Sequence, residues 1–224
     1  MKKVNVVLTL GILFGGIASA GNVQDTNLPT TCSIGVGCDQ TGWDVSSDGT
    51  TELGLAAIIR FLGAPGENGN PGLIDGNTYY VPAGFGNPVP DANDALWSFE
   101  FSINTGSTLL SDYNFALTVT DLTSNTLLAT VPAALIPDNA NDGSPLSIAQ
   151  NSENFAFGNP GFDPTAPGDY QLQLTAIGNT AGNAGYSNQA TIDVVVTPEP
   201  ATIALGALSL AALGLFRRRR MQRN

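Results

Sequence analysis

Histidine is absent from this sequence, and lysine and arginine together supply only 8 of its 224 residues. Cysteine occurs twice, at Cys32 and Cys38, and charged residues of every kind make up 12%. Each shortage excludes something. Without His there is no Ser-His-Asp or Cys-His machinery and no imidazole metal site. The few basic residues sit almost wholly at the ends: Lys2 and Lys3 in front, Arg217, Arg218, Arg219, Arg220 and Arg223 behind, with Arg60 alone between. Residues 21–197 therefore hold 18 Asp and Glu against one Arg. Such a stretch repels nucleic acid, whose phosphates must be neutralised by Lys and Arg, and it does not dock unaided on anionic lipid. Lacking Lys, it also has no Schiff-base or Ser-Lys chemistry, and no GxxxxGK phosphate loop is found. It attracts cations, including Ca2+, and stays soluble. Asn, Gly, Thr, Ser and Asp carry the polarity, so this is not a charge-driven disordered chain.

What is present begins with an address. Residues 1–20 read as a secretory signal peptide, with Lys2 and Lys3 as the positive region and Val4–Ile17 as the apolar one. Ala18-Ser19-Ala20 offers the small residues a signal peptidase needs, so cleavage after Ala20 leaves Gly21 at the new N-terminus. The alternative is an uncleaved anchor, against which the A-x-A ending argues. Residues 21–197 are then an exported body long enough for one domain with a real core. Export makes a Cys32–Cys38 disulfide the expected state, closed by the glycines of Ser-Ile-Gly-Val-Gly. Free or intermolecular thiols are the other reading; two thiolates without His are too few for zinc.

The other end, residues 198–224, opens on Pro198-Glu199-Pro200. Residues 201–216 follow without a charge, and basic residues fill 217–223. As a helix, 16 residues span about 24 Å, against the roughly 30 Å of a hydrocarbon core. Ala and Gly fill about half of it. Such a segment crosses only with snorkelling arginines and a thinned bilayer, which suits a temporary stop better than a permanent anchor. Clustered arginines stay cytoplasmic and put the body on the far side of the inner membrane. The two prolines keep the junction extended.

This order (Pro-Glu-Pro, short apolar helix, terminal arginine cluster, with a signal peptide at the front) resembles the PEP-CTERM sorting signal of Gram-negative bacteria. The resemblance implies recognition by an exosortase, a membrane cysteine protease or transpeptidase. It implies loss of the tail near Pro198–Pro200 and release or attachment of the body at the cell surface. Bacteria with such proteins typically make exopolysaccharide and biofilm matrix. A plain C-terminal anchor is the competing reading.

Within the body, polar–apolar alternation predicts strands over 96–103, 113–120, 170–176 and 190–196. Leu53–Leu62 is ambiguous between helix and strand and is assigned to strand from its context. Many short strands joined by Gly, Asn, Asp and Pro give an all-β fold, an antiparallel β-sandwich. The stretch Ala166-Pro167-Gly168-Asp169-Tyr170-Gln171-Leu172 resembles the penultimate strand of immunoglobulin-like and fibronectin-like domains, which implies that Tyr170 ties back to the preceding loop. Trp97 is the expected core tryptophan. The glycine- and proline-rich residues 63–94 read as a long surface loop.

Candidate chemistry is sparse. Asp44, Ser46, Asp48 and Gly49 follow the first positions of a Ca2+ loop, but the twelfth position, which should be Glu, is Leu55. A looser oxygen-rich turn is the most this pattern supports, and Asx turns are the favoured explanation. Residues 91–94 and 138–143 hold similar Asp/Asn clusters. Glycoside hydrolysis needs only two carboxylates, yet 18 acids nominate no pair. The leading expectation is an exported, non-catalytic cell-surface or matrix protein. A carbohydrate-binding module stacking sugars on Tyr79, Tyr80 and Phe85 is the first alternative, and a secreted hydrolase using two carboxylates is the second.

Overall fold

The computed structural model describes residues 22–30, 42–59, 73–85, 95–131, 146–154 and 162–198. Its strands, in chain order, are β1 (Asn22–Thr26), β2 (Trp43–Ser47), β3 (Glu52–Ile59), β4 (Leu73–Asp75), β5 (Thr78–Pro82), β6 (Trp97–Asn104), β7 (Tyr113–Asp121), β8 (Thr126–Val131), β9 (Ile148–Glu153), β10 (Gly168–Gly178) and β11 (Ser187–Thr197). The only helical element among the described residues is a 3-10 turn at Leu110–Asp112.

Two sheets form, in the orders β1-β2-β3-β6-β9 and β4-β5-β11-β10-β7-β8. Every neighbouring pair is antiparallel except β5–β11, which is parallel. The chain crosses between the sheets after β3, β5, β6, β8 and β9. Six of the strands follow the immunoglobulin arrangement: β3, β6 and β9 take the places of strands A, B and E, and β7, β10 and β11 those of C, F and G. Strands β1 and β2 extend the first sheet, and the β4–β5 hairpin extends the second.

Alternation explains the second sheet. On β10, Tyr170, Leu172, Leu174 and Ala176 point inward; on β11, Ala190, Ile192, Val194 and Val196 do so. Their outward neighbours pair across strands, as in Gln171 Nε2 donating to Asp193 Oδ1 at 3.1 Å. Inward residues of both sheets join one core with Leu53, Leu55, Phe99, Phe101, Ile103, Leu117 and Val119.

The first sheet departs from the half-buried reading of 96–103. Strand β6 is buried on both faces from Trp97 to Ile103. The reason lies at Gly54, opposite Ser102. Leu28 and Trp43 lie so close above it that an added Cβ would be 2.9 Å from Leu28 Cδ1 and 3.1 Å from Trp43 Cε3. Ser98 and Ser102, on this second buried face, are hydrogen-bonded, as burial requires. Gln150 Nε2 donates to Ser102 Oγ at 3.0 Å, and Asn154 Nδ2 donates to Ser98 Oγ at 3.3 Å.

Residues 73–85 overturn the long-loop expectation for that part of 63–94. They form the β4–β5 hairpin, and Tyr79 is a core residue whose hydroxyl donates to the Gly42 carbonyl at 2.6 Å. Thr78-Tyr-Tyr-Val81 is a run of strong strand formers, and the surrounding glycines obscured it. Trp97 is fully buried and donates through Nε1 to the Pro164 carbonyl at 2.8 Å. Its ring meets Phe162 edge-on, and Phe162 meets Tyr170 at 4.7 Å between centroids. Tyr170 curls back over its own turn: a Cβ at Gly168 would lie 2.5 Å from its hydroxyl.

Candidate functional site: the C-terminal junction

Strand β11 carries the chain out of the fold. It is an interior strand, paired with β10 on one side and β5 on the other. Val196 is 2% exposed. Thr197 is held by two contacts: its carbonyl accepts the Ala83 amide at 2.7 Å, and its hydroxyl donates to the Val81 carbonyl at 3.3 Å. Pro198 is exposed and is the first residue outside the sheet. Proline suits that position, because it has no N–H to offer a further ladder bond.

Loops gathered at this end surround the exit with carboxylates. Asp163 Oδ1 accepts the Thr165 amide at 2.9 Å and the Thr165 hydroxyl at 2.6 Å. Asp121 Oδ1 accepts the Thr123 and Ser124 amides, and the Ser124 bond leads in holding its pKa below the usual carboxylate value. Tyr170 is pushed the other way. Burial raises its phenol first, and the charges of Asp121, Asp163 and Asp169 add to that. Among the described residues there is no Lys, Arg or His to offset these charges.

The opposite end holds a polar clasp between the sheets, which sequence reasoning missed. Ser46 Oγ donates to Asn188 Oδ1 at 2.7 Å, and Asn188 Nδ2 donates to Thr51 Oγ1 at 2.9 Å. Thr51 Oγ1 in turn shares a hydrogen bond with the Tyr186 hydroxyl at 2.5 Å. These partners lie 135 to 142 residues apart in the chain, so no local pattern announces them. The Tyr186 hydroxyl also lies near enough to the Asp48 carboxylate for the two to interact. Burial, in the main, lifts the Tyr186 phenol far above its usual range. At Asp48, burial opposes ionisation, but the Thr51 and Thr50 amides and the Tyr186 hydroxyl outweigh it and lower the pKa. Beside the clasp, a shallow cleft of about 150 Å³ runs between the β2–β3 turn and Asn104–Gly106. Its one carboxylate, Glu52, accepts the Thr30 amide at 3.2 Å.

This geometry relocates the calcium candidates. Asp44 and Ser46 lie not on a loop but on β2, both fully buried. They project between the sheets, opposite Leu55 and Leu53 of β3. Asp48 lies beyond the strand, where its carboxylate caps the turn by accepting the Thr50 amide at 2.8 Å and the Thr51 amide at 3.0 Å. The oxygens of Ser46 and Asp48 are thus turned to protein partners. No group of three or more His, Cys, Asp or Glu among the described residues is arranged to hold a metal. The aromatic platform is also dispersed. Tyr79 is buried, Tyr80 is half-buried on β5, and Phe85 is 58% exposed.

Ala20, Cys32, Cys38, Glu199, Pro200 and Arg217–Arg220 lie outside the described residues, as do 91–94, 138–143 and the apolar run 201–216. Among the described residues, no helix is long and apolar enough to cross a membrane.

Comparison with known families decides what the junction is. The family model of the PEP-CTERM protein-sorting motif matches residues 196–220. This chain carries a PEP-CTERM sorting signal. It is an exported protein with a C-terminal sorting motif, and that motif begins in the last two residues of β11. No curated protein and no solved structure matches the chain.

Proposed function

We propose that the chain is an exported, non-catalytic cell-surface or extracellular-matrix protein whose tail an exosortase removes near Pro198–Pro200. The observation that supports this is the PEP-CTERM match at 196–220, set where the last strand leaves the sandwich. On this reading residues 1–20 start export through the inner membrane of a Gram-negative cell. Residues 201–216 then halt it, and Arg217–Arg220 remain on the cytoplasmic side. The body, which lacks His and Lys and has Arg60 as its only basic residue, acts by contact and not by catalysis. Its place is with exopolysaccharide in the surface or biofilm matrix.

Intact-mass analysis of the mature protein from a host with a working exosortase tests the reading. The expected species starts at Gly21 and ends within residues 197–200, and deleting the exosortase keeps the tail on. Full-length chain, arginines included, in the inner membrane of the exosortase-competent host refutes it.

A further inference from the structure

The sorting motif and the fold share residues. Val196 and Thr197 are the first two positions of the matched motif and the last two of β11. Both are built into the sheet. Val196 pairs with Gly168 of β10 on one side and with Val81 of β5 on the other, and Thr197 pairs with Pro82. The Val196 side chain is buried in the core, and the Ala83 amide closes on the Thr197 carbonyl at 2.7 Å.

A peptidase that reads an extended segment does so largely through the main-chain groups flanking the scissile bond. For Val195 and Val196 those groups are engaged by β5 and β10, and for Thr197 by β5 and Ala83. An edge strand can lend its outer side to a partner, but an interior strand has no free side. The chain beyond is short. Residues 198–200 alone separate the sheet from the apolar run at Ala201, and three extended residues reach at most about 11 Å. That is the width of a single helix with its side chains, about 10–12 Å. Little of a catalytic cleft fits between a folded sandwich and the membrane at that spacing.

We propose that the folded body masks its own processing site: seating the end of β11 between β5 and β10 withdraws Val195–Thr197 from the peptidase, and the tail is removed only while that end is out of the sheet. The masking rests on the reading of the junction as an exosortase site. It makes processing a competitor of the last step of folding, so chains that close first are cut slowly.

The test follows tail removal by pulse-chase in an exosortase-competent host, using the full chain. One version carries eight Gly/Ser residues inserted between Thr197 and Pro198, which frees the junction without touching the sheet. A second, D169C/V195C, places cysteines at directly opposed positions of β10 and β11 and locks the end of β11 in place. The insert is expected to raise the rate of tail removal at least tenfold. The cross-link should lower it at least tenfold, with recovery on reduction. Rates within twofold of the unaltered chain for both versions overturn the masking while leaving the exosortase reading intact. A tail retained on every version, insert included, removes the exosortase reading and the masking with it.

Discussion

Replacing Asn188 by alanine is expected to destabilise the fold by about 2–4 kcal/mol, although the residue lies outside the sorting motif. Asn188 is 4% exposed and sits at the start of β11, facing Ser46 and Thr51 of the other sheet. The substitution removes three short hydrogen bonds, with the Ser46 hydroxyl, the Thr51 hydroxyl and the Gln189 amide, each worth about 1 kcal/mol net. Thr51 keeps a partner, because its hydroxyl still meets that of Tyr186. Guanidinium unfolding of the full chain in mild detergent measures the effect. Trp43 and Trp97 are both fully buried and serve as fluorescent reporters. The pair S46A/N188A should cost at least about 1 kcal/mol less than the sum of its single variants, as coupled neighbours do. A midpoint shift for N188A worth under about 0.5 kcal/mol, or strict additivity in the pair, would mean that the clasp does not hold the sheets together.

Three further outcomes follow from the same geometry. Gly54→Ala should cost about 1–3 kcal/mol, because its Cβ meets Leu28 and Trp43 in a packed layer; thermal melting checks this, and an unchanged melting temperature contradicts the second buried face. Asp48 has a lowered pKa, so its stabilisation is complete above the ordinary 3.8 and fades as the pH falls through the folded value. Tyr186 has a raised one, so its stabilisation is complete below 10.0 and fades as the pH rises beyond. D48N should flatten the acid limb of a stability-versus-pH curve and Y186F the alkaline limb; limbs unchanged by either variant refute the assignment. EDTA and millimolar Ca2+ should both leave the melting temperature unmoved, since Ser46 and Asp48 already face protein donors and acceptors; a melting temperature that falls with EDTA and returns with Ca2+ restores the metal reading.

Where the chain alternates, the fold was legible. Tyr113–Asp121, Gly168–Gly178 and Ser187–Thr197 each have one face in the core and one in water, and period-2 patterning marks such strands clearly. Strand β3 was ambiguous because it is buried on both faces, so Leu-Gly-Leu-Ala-Ala-Ile-Ile carries no alternation to read. The same cause hid β2. Its Asp44 and Ser46 look like loop ligands, whereas the structure buries them and leaves the turn to Asp48 and Gly49. Strand β5 was lost among glycines. Gly76, at φ 63°, makes the tight hairpin turn that places Tyr79 in the core.

The junction was legible for a different reason. A sorting signal is read by other machinery as a linear string, so its meaning is carried by order and spacing within about 25 residues. The clasp is carried by contacts between residues about 140 apart, which appear only when two sheets meet. Val196 and Thr197 belong to both kinds of information. As letters in a string they open the sorting motif, and as strand residues they complete the sheet. Both residues are β-branched and suit both uses; sequence alone puts Val196 in a strand and opens the signal two residues later, at Pro198. The second use constrains the first. A substitution such as Val196→Asp leaves Pro198-Glu199-Pro200 untouched, yet it places a charge in the core beside Val81, where nothing printed in the local sequence forbids it and burial does. Such a variant should unseat the end of β11 and speed tail removal at the same time that it weakens the body, a pairing of effects that a purely linear signal would not produce.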